Sequence, residues 1–435
     1  MSKLALLGGD PCVTLDYNEV GKVPVVAERA YKTVEELMRK GEISTSPIVG
    51  QFEKRFAEYI GTTYALAAVN GTTTIQEGLF AVGVKPGDEV IVPSYTFWAS
   101  ALPIVANGAT PVFCDVLEDT HCLDPKSVES LITPKTKAIV VVHVWGTPAD
   151  MDAIMDIAKR HNLKVVEDCS HAHGATYKGK KVGSIGDVGC FSMQESKTLP
   201  AGEAGMLVTS NKTYYERACA LGHYERLGKL VDSPYSQFSL TALGFKHRVH
   251  PIAIGIADAN LDHLDELNAV RSKYGKMLEE GIADLDFIVP QKVEEGNERN
   301  FAYHYVRYIP EKFGNVALTT FLTAIAKEGV VCGSCGYGKL HTAPVFTNKE
   351  QGEELTLFNP AKNFHCDYDL PVTRELAENT FMIAPRFEKE CDELVKQYIA
   401  AYHKVAENKD ALIEYQKEHE IKVQDNAGRS INLFK

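Results

Sequence analysis

The chain has 435 residues, 45% of them hydrophobic and 24% charged, with a formal net charge of −12 at pH 7. That length allows two or three domains and a core that needs no covalent staples, and the balance is that of a globular protein rather than a disordered or fibrous one. The acidic excess excludes the basic face that wrapping nucleic acid requires, and no stretch approaches transmembrane length, so neither nucleic acid nor membrane is expected as a partner. The ten cysteines are too sparse for a disulfide scaffold; Cys114 and Cys190 lie inside apolar runs, where a reduced thiol packs as a small hydrophobe. The N-terminal apolar run is too short for a secretory signal, and the expected compartment is the cytoplasm.

Residues 1–30, with Pro11 and Pro24 and few periodic contacts, read as an arm. Ala30, Val34, Leu37 and Met38 mark one helix face, and Val49, Phe52, Phe56, Tyr59 and Ile60 mark another, which Gly61 stops. From Tyr64 short apolar runs alternate with helical ones: Tyr64 to Val69, Glu89 to Pro93, Thr110 to Cys114, Ala138 to Val144 and Lys164 to Val166. Such alternation predicts right-handed βαβ units and a mostly parallel sheet in a large domain over residues 31–250. Residues 251–435 then read as one long helix over Ile252 to Glu279 and a smaller α+β domain. That domain has a strand at Tyr303 to Ile309, a helix at Leu318 to Lys327, and a final helix whose apolar face carries Leu394, Tyr398, Ile399, Tyr402 and Val405.

The chemistry centres on C-F-S-M-Q-E-S-K-T-L-P-A-G-E-A-G-M-L-V, Cys190 to Val208, which presents Lys197 on a turn between two apolar runs. A lone lysine is ordinarily a solvated surface group. Asp168, however, follows directly on the apolar run of V-V-E-D-C-S-H-A-H-G-A, where parallel α/β sheets deliver site residues. An amine paired with a buried carboxylate suits pyridoxal 5′-phosphate (PLP), held as an imine on the lysine with its ring nitrogen kept protonated by the carboxylate.

Other stretches fit an anionic cofactor. N-G-T-T-T after the first strand opens a helix and makes an anion site, the plain alternative being helix capping by Thr72 or Thr73. Phe97 and Trp98 in P-S-Y-T-F-W-A-S sit near the carboxyl edge of the sheet, where one of them can stack on a flat ring or serve the core. Lys246, His247, Arg248 and His250 concentrate positive charge in an acidic chain, which suits an anion if it is not merely a solvated loop. His171, His173 and Cys169 lack a second cluster at ligand spacing, and the C-G-S-C of Cys332 and Cys335 lacks a partner pair, so no metal is expected.

In this order, N-G-T-T, P-S-Y-T-F, V-V-H-V-W-G-T-P-A-D-M-D, E-D-C-S-H-A-H-G-A, F-S-M-Q-E-S-K-T-L-P-A-G-E-A-G and G-F-K-H-R-V-H-P resemble the DegT/DnrJ/EryC1/StrS aminotransferases over about residues 5–405. The resemblance implies an α/β fold of the aspartate-aminotransferase-like class (PLP fold type I). It further implies transfer of an amino group from glutamine or glutamate to a keto sugar or keto cyclitol, and a homodimer with shared active sites. Carried over by position, Lys197 is the Schiff-base lysine and catalytic base, and Asp168 partners the pyridinium nitrogen. Thr72, Thr73 and Ser192 hold the phosphate, Phe97 stacks on the ring, and His171 lies near the ring hydroxyl.

Where relatives read G-x-N-Y-R-M, this chain has Gly244, Phe245, Lys246, His247, Arg248 and Val249, so Lys246 takes the place of an Asn that reaches the partner's cofactor phosphate. G-E-A-G, with Ala204, replaces G-E-G-G, a mild change if that backbone position avoids positive φ. Substrate contacts are expected in the loops around Ser44, Trp145, His223 and Cys332 to His341, and at Arg248 and His341 in particular. Two other roles stay open: a PLP-binding regulatory protein without turnover, and a PLP-dependent sugar dehydratase. Lys197 argues against the second, since dehydratases of this fold carry histidine there.

Overall fold

The computed structural model describes residues 2–22, 26–348, 350 and 368–419; Pro24 of the expected arm lies outside them. The strands are β1 (Tyr64–Ala68), β2 (Glu89–Pro93), β3 (Thr110–Cys114), β4 (Thr136–Val142), β5 (Lys164–Asp168), β6 (Thr176–Tyr177), β7 (Lys180–Lys181), β8 (Val188–Ser192), β9 (Gly205–Thr209), β10 (Ile288–Pro290), β11 (His304–Tyr308), β12 (Gly333–Ser334) and β13 (Thr380–Ala384).

Among the described residues the main sheet has seven strands in the order β1-β9-β8-β5-β4-β2-β3. The run from β8 to β3 is parallel, and β9 runs antiparallel to both of its neighbours. Helices cover both faces, so the central strands are apolar along their length: Ala138 to Val142 of β4 are all buried. The parallel strands bring their carboxyl ends to one edge, and β5 carries its pairing through Asp168 itself, two residues beyond the expected end at Val166.

The stretch expected as one helix from Ile252 to Glu279 is two, Pro251–Leu261 and Leu264–Gly281. His263, at φ −112° and ψ 0°, breaks the ladder between them. Arg29 and Arg55, from two earlier helices, converge on Asp258 and Asp262, with Arg29 2.7 Å from each carboxylate and Arg55 2.6 Å from Asp262. These ion pairs hold the end of the first helix against Glu28–Lys40 and Pro47–Ile60. On the Glu28–Lys40 helix Ala30 and Leu37 are buried, whereas Met38 faces outward.

A second, four-stranded sheet, β10-β11-β13-β12, is antiparallel. Its own core is rich in rings: Phe287, Tyr308, Phe313, Phe321, Phe381, Tyr398 and Tyr402 are all buried. Leu4 and Val13 of the arm pack into this core, as does Leu412 from the helix Lys409–Glu418. The chain also returns to the larger core, where Phe346, Leu370 and Leu376 are buried. There Asp115, just past β3, accepts from the Thr373 N–H (2.7 Å), the Thr373 hydroxyl (2.8 Å) and the Val372 N–H (3.1 Å). This clasp fastens the helix Pro371–Asn379 beside the carboxyl edge of the main sheet.

Candidate active site

Asp168 ends β5 and is buried. Its Oδ2 accepts from the Ser100 hydroxyl at 2.7 Å, and its Oδ1 accepts from the Ser170 hydroxyl at 2.6 Å and the Ser170 N–H at 3.1 Å. Those three donors fix the carboxylate. Glu167 points to the opposite face, as alternation along a strand requires. It accepts from the N–H groups of Gly183, Ile185 and Gly186 at 2.6–2.8 Å and meets His143 Nε2 at 3.0 Å. Burial works against its charge, but His143 and those N–H groups hold its pKa below the ordinary value. The strand end that delivers Asp168 is therefore anchored on both sides.

Lys197 stands on the β8–β9 connection, closed by the N–H of Met193 to the carbonyl of Ala204 (2.8 Å) and the N–H of Ala201 to the carbonyl of Met193 (2.8 Å). Gly202 takes the left-handed conformation at φ 83°, and Ala204 does not, so alanine is tolerated in G-E-A-G without backbone strain. The Lys197 side chain is half-buried, and no described carboxylate lies within ion-pairing distance of it. Its neighbour is the phenol of Tyr303. Burial raises the pKa of that phenol, but Lys197 and Arg386 beside it bring the pKa below the ordinary value. Arg386 in turn donates to the carbonyl of Ser196 at 2.6 Å.

The helix Gly71–Ala81 begins beside this turn. Its cap is Asn70, whose side chain accepts from the Thr73 N–H at 2.9 Å, so capping by Thr72 or Thr73 is overturned. Neither threonine hydroxyl bonds to a described residue, and both are only partly buried. The Ser192 hydroxyl at the end of β8 meets only the N–H of Gln194, at 3.4 Å. Close approach is built in, since a Cβ on Gly71 stands 2.6 Å from Ser192 Cβ, and one on Gly205 stands 2.3 Å from the carbonyl oxygen of Asn70. Three hydroxyls, those of Thr72 and Thr73 without a partner among the described residues, thus meet at a helix N-terminus, an arrangement that can cradle an anion.

An aromatic wall closes the other side. Trp145 is fully buried and left-handed at φ 54°. Its ring lies 4.4 Å from Tyr305, 5.8 Å from Tyr337 and 5.7 Å from Tyr95, centroid to centroid. Its backbone N–H donates to His171 Nδ1 at 3.1 Å, and the Tyr337 hydroxyl meets His171 Nε2 at 3.2 Å. Burial, with Lys197 close by, pushes the His171 pKa well below the usual histidine value, so the ring is neutral.

The remaining expected residues fall in several places. Phe97 is 41% exposed and tilts against Trp98 at 5.1 Å. Arg248 donates to the Ser44 hydroxyl at 3.0 Å at the rim of a cavity of about 270 Å³ that Arg226 and Lys229 also line. Lys246 is exposed and has no partner among the described residues. His223 is buried, with Nε2 2.7 Å from Glu77 Oε1, and His247 Nδ1 reaches the same oxygen at 3.0 Å. His341 Nδ1 lies 2.7 Å from the Ser94 hydroxyl at the end of β2. Ser100 and Tyr303 were missed by sequence reasoning, and Tyr337 lies in the loop Cys332 to His341 expected to carry substrate contacts but was not singled out; Tyr303, at the start of the expected strand Tyr303 to Ile309, was within reach of a residue-by-residue reading.

The chain is similar to known aminotransferases. The L-glutamine:2-deoxy-scyllo-inosose aminotransferase of Streptoalloteichus tenebrarius is 34% identical over 380 residues, 81% of this chain and 87% of that protein. That of Streptomyces lividus is 35% identical over 320 residues, 70% and 74%. Among solved structures, the aminotransferase from Psychrobacter cryohalolentis superposes with a TM-score of 0.79 at 29% identity, covering 90% of this chain and 100% of that one. DesV of S. venezuelae, in complex with a ketimine intermediate, gives 0.75 at 29% identity, covering 87% and 94%. The model of the DegT/DnrJ/EryC1/StrS aminotransferase family matches residues 24–384. The chain belongs to that family, and is a PLP-dependent transaminase.

Proposed function

We propose that the chain carries the amino group of L-glutamine or L-glutamate to a keto cyclitol, in a homodimer whose partner completes each site. The observation that carries this reading is Lys197, in no ion pair with a described residue, beside Tyr303 and His171 on the β8–β9 connection at the same sheet edge as Asp168. The names of the relatives support the donor and acceptor classes.

The residues present fit the cofactor. Thr72, Thr73, Ser192 and the free N–H groups of the Gly71–Ala81 helix would hold its phosphate. Asp168, fixed by Ser100 and Ser170, would face the ring nitrogen, Phe97 would cover the ring, and His171 would stand beside the ring hydroxyl. Bound PLP supplies the electron sink that makes the donor's α-proton labile. The Lys197 amine takes that proton and returns it on the other side of the exchange, with the phenol of Tyr303 beside it. The aromatic wall excludes water from that transfer.

Phe97, Trp98, Leu240 and Phe245 are exposed large apolar side chains, which favours their burial by a second subunit. Lys246 and Arg248 would then meet the partner's cofactor phosphate or substrate anion. The division into a large and a small domain is also our reading, supported by two cores, with Ile254, Ala257, Leu261 and Leu264 as well as Phe346, Leu370 and Leu376 packed in the larger one beyond residue 250. All nine described cysteines are free thiols, which suits the cytoplasm. No helix among the described residues is long and apolar enough to cross a membrane.

The test is incubation with L-glutamine and 2-deoxy-scyllo-inosose, reading the amino cyclitol by mass spectrometry. Wild type forms it and Lys197→Ala does not; product from the variant would sink the assignment. One observation favours a nucleotide-linked keto sugar instead: the GDP-perosamine synthase of Caulobacter vibrioides is 42% identical over 242 residues, although these are 56% of this chain and 64% of that one. Amination of a GDP-linked keto sugar with none of the cyclitol would select it.

A further inference from the structure

The segment after β12 brings Tyr337 into the site, and the hydrogen bonds around it determine which atom carries which proton. A backbone N–H can only donate, so the bond from Trp145 to His171 Nδ1 (3.1 Å) makes that nitrogen an acceptor. The ring is neutral, and its one proton is therefore on Nε2. Nε2–H then donates to the Tyr337 oxygen, 3.2 Å away, and the hydroxyl of Tyr337 keeps its own proton uncommitted, because no other described group meets that oxygen.

The phenol is also held in place. It lies nearly parallel to His171 (14°) and to Trp145 (23°), with the ring of Tyr95 edge-on at 6.1 Å. Its backbone N–H donates to Cys335 Sγ at 3.4 Å. Downstream, the Leu340 N–H reaches the carbonyl of Ser94 at 3.2 Å, and His341 bonds the Ser94 side chain. Both ends of the Tyr337 segment are thus fixed to the ends of strands.

Trp145, Tyr303, Tyr305 and Tyr337 make a wall whose own side chains carry no charge; the cations beside it, Lys197 and Arg386, stand at its Tyr303 end. A carboxylate-bearing donor is drawn to those cations, whereas at Tyr337 the wall offers rings and a hydroxyl. A neutral ring with hydroxyl groups matches it: C–H faces against the aromatics, and an oxygen in front of the Tyr337 O–H.

We propose that Tyr337 determines specificity for the keto acceptor, its hydroxyl donating to an oxygen of an uncharged polyhydroxylated ring beside the reacting carbon, and that it takes no part in recognising the amino donor. This rests on the aminotransferase reading above.

The experiment compares wild type with Tyr337→Phe, which keeps the stacking and removes only the oxygen; an unchanged melting temperature shows that the fold survives. Calorimetric titration of the pyridoxamine-phosphate-loaded proteins with 2-deoxy-scyllo-inosose reads acceptor binding, and the absorbance change of the PLP-loaded proteins with L-glutamine reads the donor side. Expected is an acceptor dissociation constant roughly tenfold weaker in the variant, the worth of about one hydrogen bond, with the donor response equal within twofold. Equal acceptor affinities, a loss shared by the donor response, or a wild type that does not bind the keto ring would each overturn the proposal. A wild type that binds the ring but does not respond to L-glutamine would refute the donor assignment while leaving the Tyr337 comparison readable.

Discussion

Gly71→Ala probes the cradle with the smallest possible addition. Gly71 opens the helix proposed to face the phosphate, without positive φ, so alanine adds no backbone strain there; what it adds is a methyl 2.6 Å from Ser192 Cβ and 2.9 Å from Ser192 Cα. Ordinary contact begins at 3.4 Å, so helix and turn must separate by about 0.8 Å (3.4 − 2.6), and the Ser192 backbone cannot swing aside as a flexible side chain does. Overpacking of that kind costs about 1–3 kcal/mol. Thr72, Thr73 and Ser192 form one cradle only at the native spacing, so the cost falls largely on the cofactor-bound state and weakens PLP roughly 5- to 150-fold. Spectrophotometric PLP titration of wild type and variant measures it. Gly50→Ala is the control: Gly50 is helical and exposed, with nothing within 4 Å of the added carbon, and PLP affinity there stays at the wild-type value. PLP affinity of Gly71→Ala within twofold of wild type would refute the cradle.

Two further predictions follow from individual side chains. Asp168→Asn keeps the contacts to Ser100 and Ser170 in part but removes the charge facing the ring nitrogen, and kcat should fall on the order of 10²–10³-fold; a fall of less than tenfold would mean that the carboxylate has another role. His223 is buried, and although burial favours its neutral form, Glu77 and Glu225 raise its pKa to about 9. A pKa raised from 6.5 contributes stability that is complete below pH 6.5 and lost as pH rises through 9, roughly 3 kcal/mol in all. His247 and Glu77 face it from neighbouring elements, so the readout is the stability difference between wild type and His223→Gln in urea. That difference should shrink between pH 6.5 and 9.5, and a constant difference would contradict a protonated His223.

Much of this site was legible because strand ends announce themselves locally. The apolar run before Asp168 and the paired glycines after Lys197 placed both residues on the right edge of the sheet without any long-range information. Less could be read where the cause lies far along the chain. The break at His263 carries only a weak local signal, the acidic first turn of Asp265 and Glu266, while the ion pairs to Asp262 beside it come from Arg29 and Arg55, more than two hundred residues earlier in sequence. The reversed direction of β9 is likewise invisible, because an apolar run carries no polarity. His223 suggested a substrate contact as long as Glu77, which neutralises it in the interior, was not known to lie beside it. Tyr337 sits between Gly336 and Gly338 in the loop expected to carry substrate contacts, but nothing local singles it out, and the role proposed for it depends on the tautomer of a histidine on another strand's end.

The measurement that bears most directly on the central claim is the absorbance spectrum of the purified protein, loaded with PLP, before and after L-glutamine. A visible band absent from Lys197→Ala, giving way to a near-ultraviolet pyridoxamine band on addition of the donor, is the predicted result. A visible band of equal strength in Lys197→Ala, or none in wild type at saturating PLP, would contradict the assignment of Lys197 as the residue that holds the cofactor.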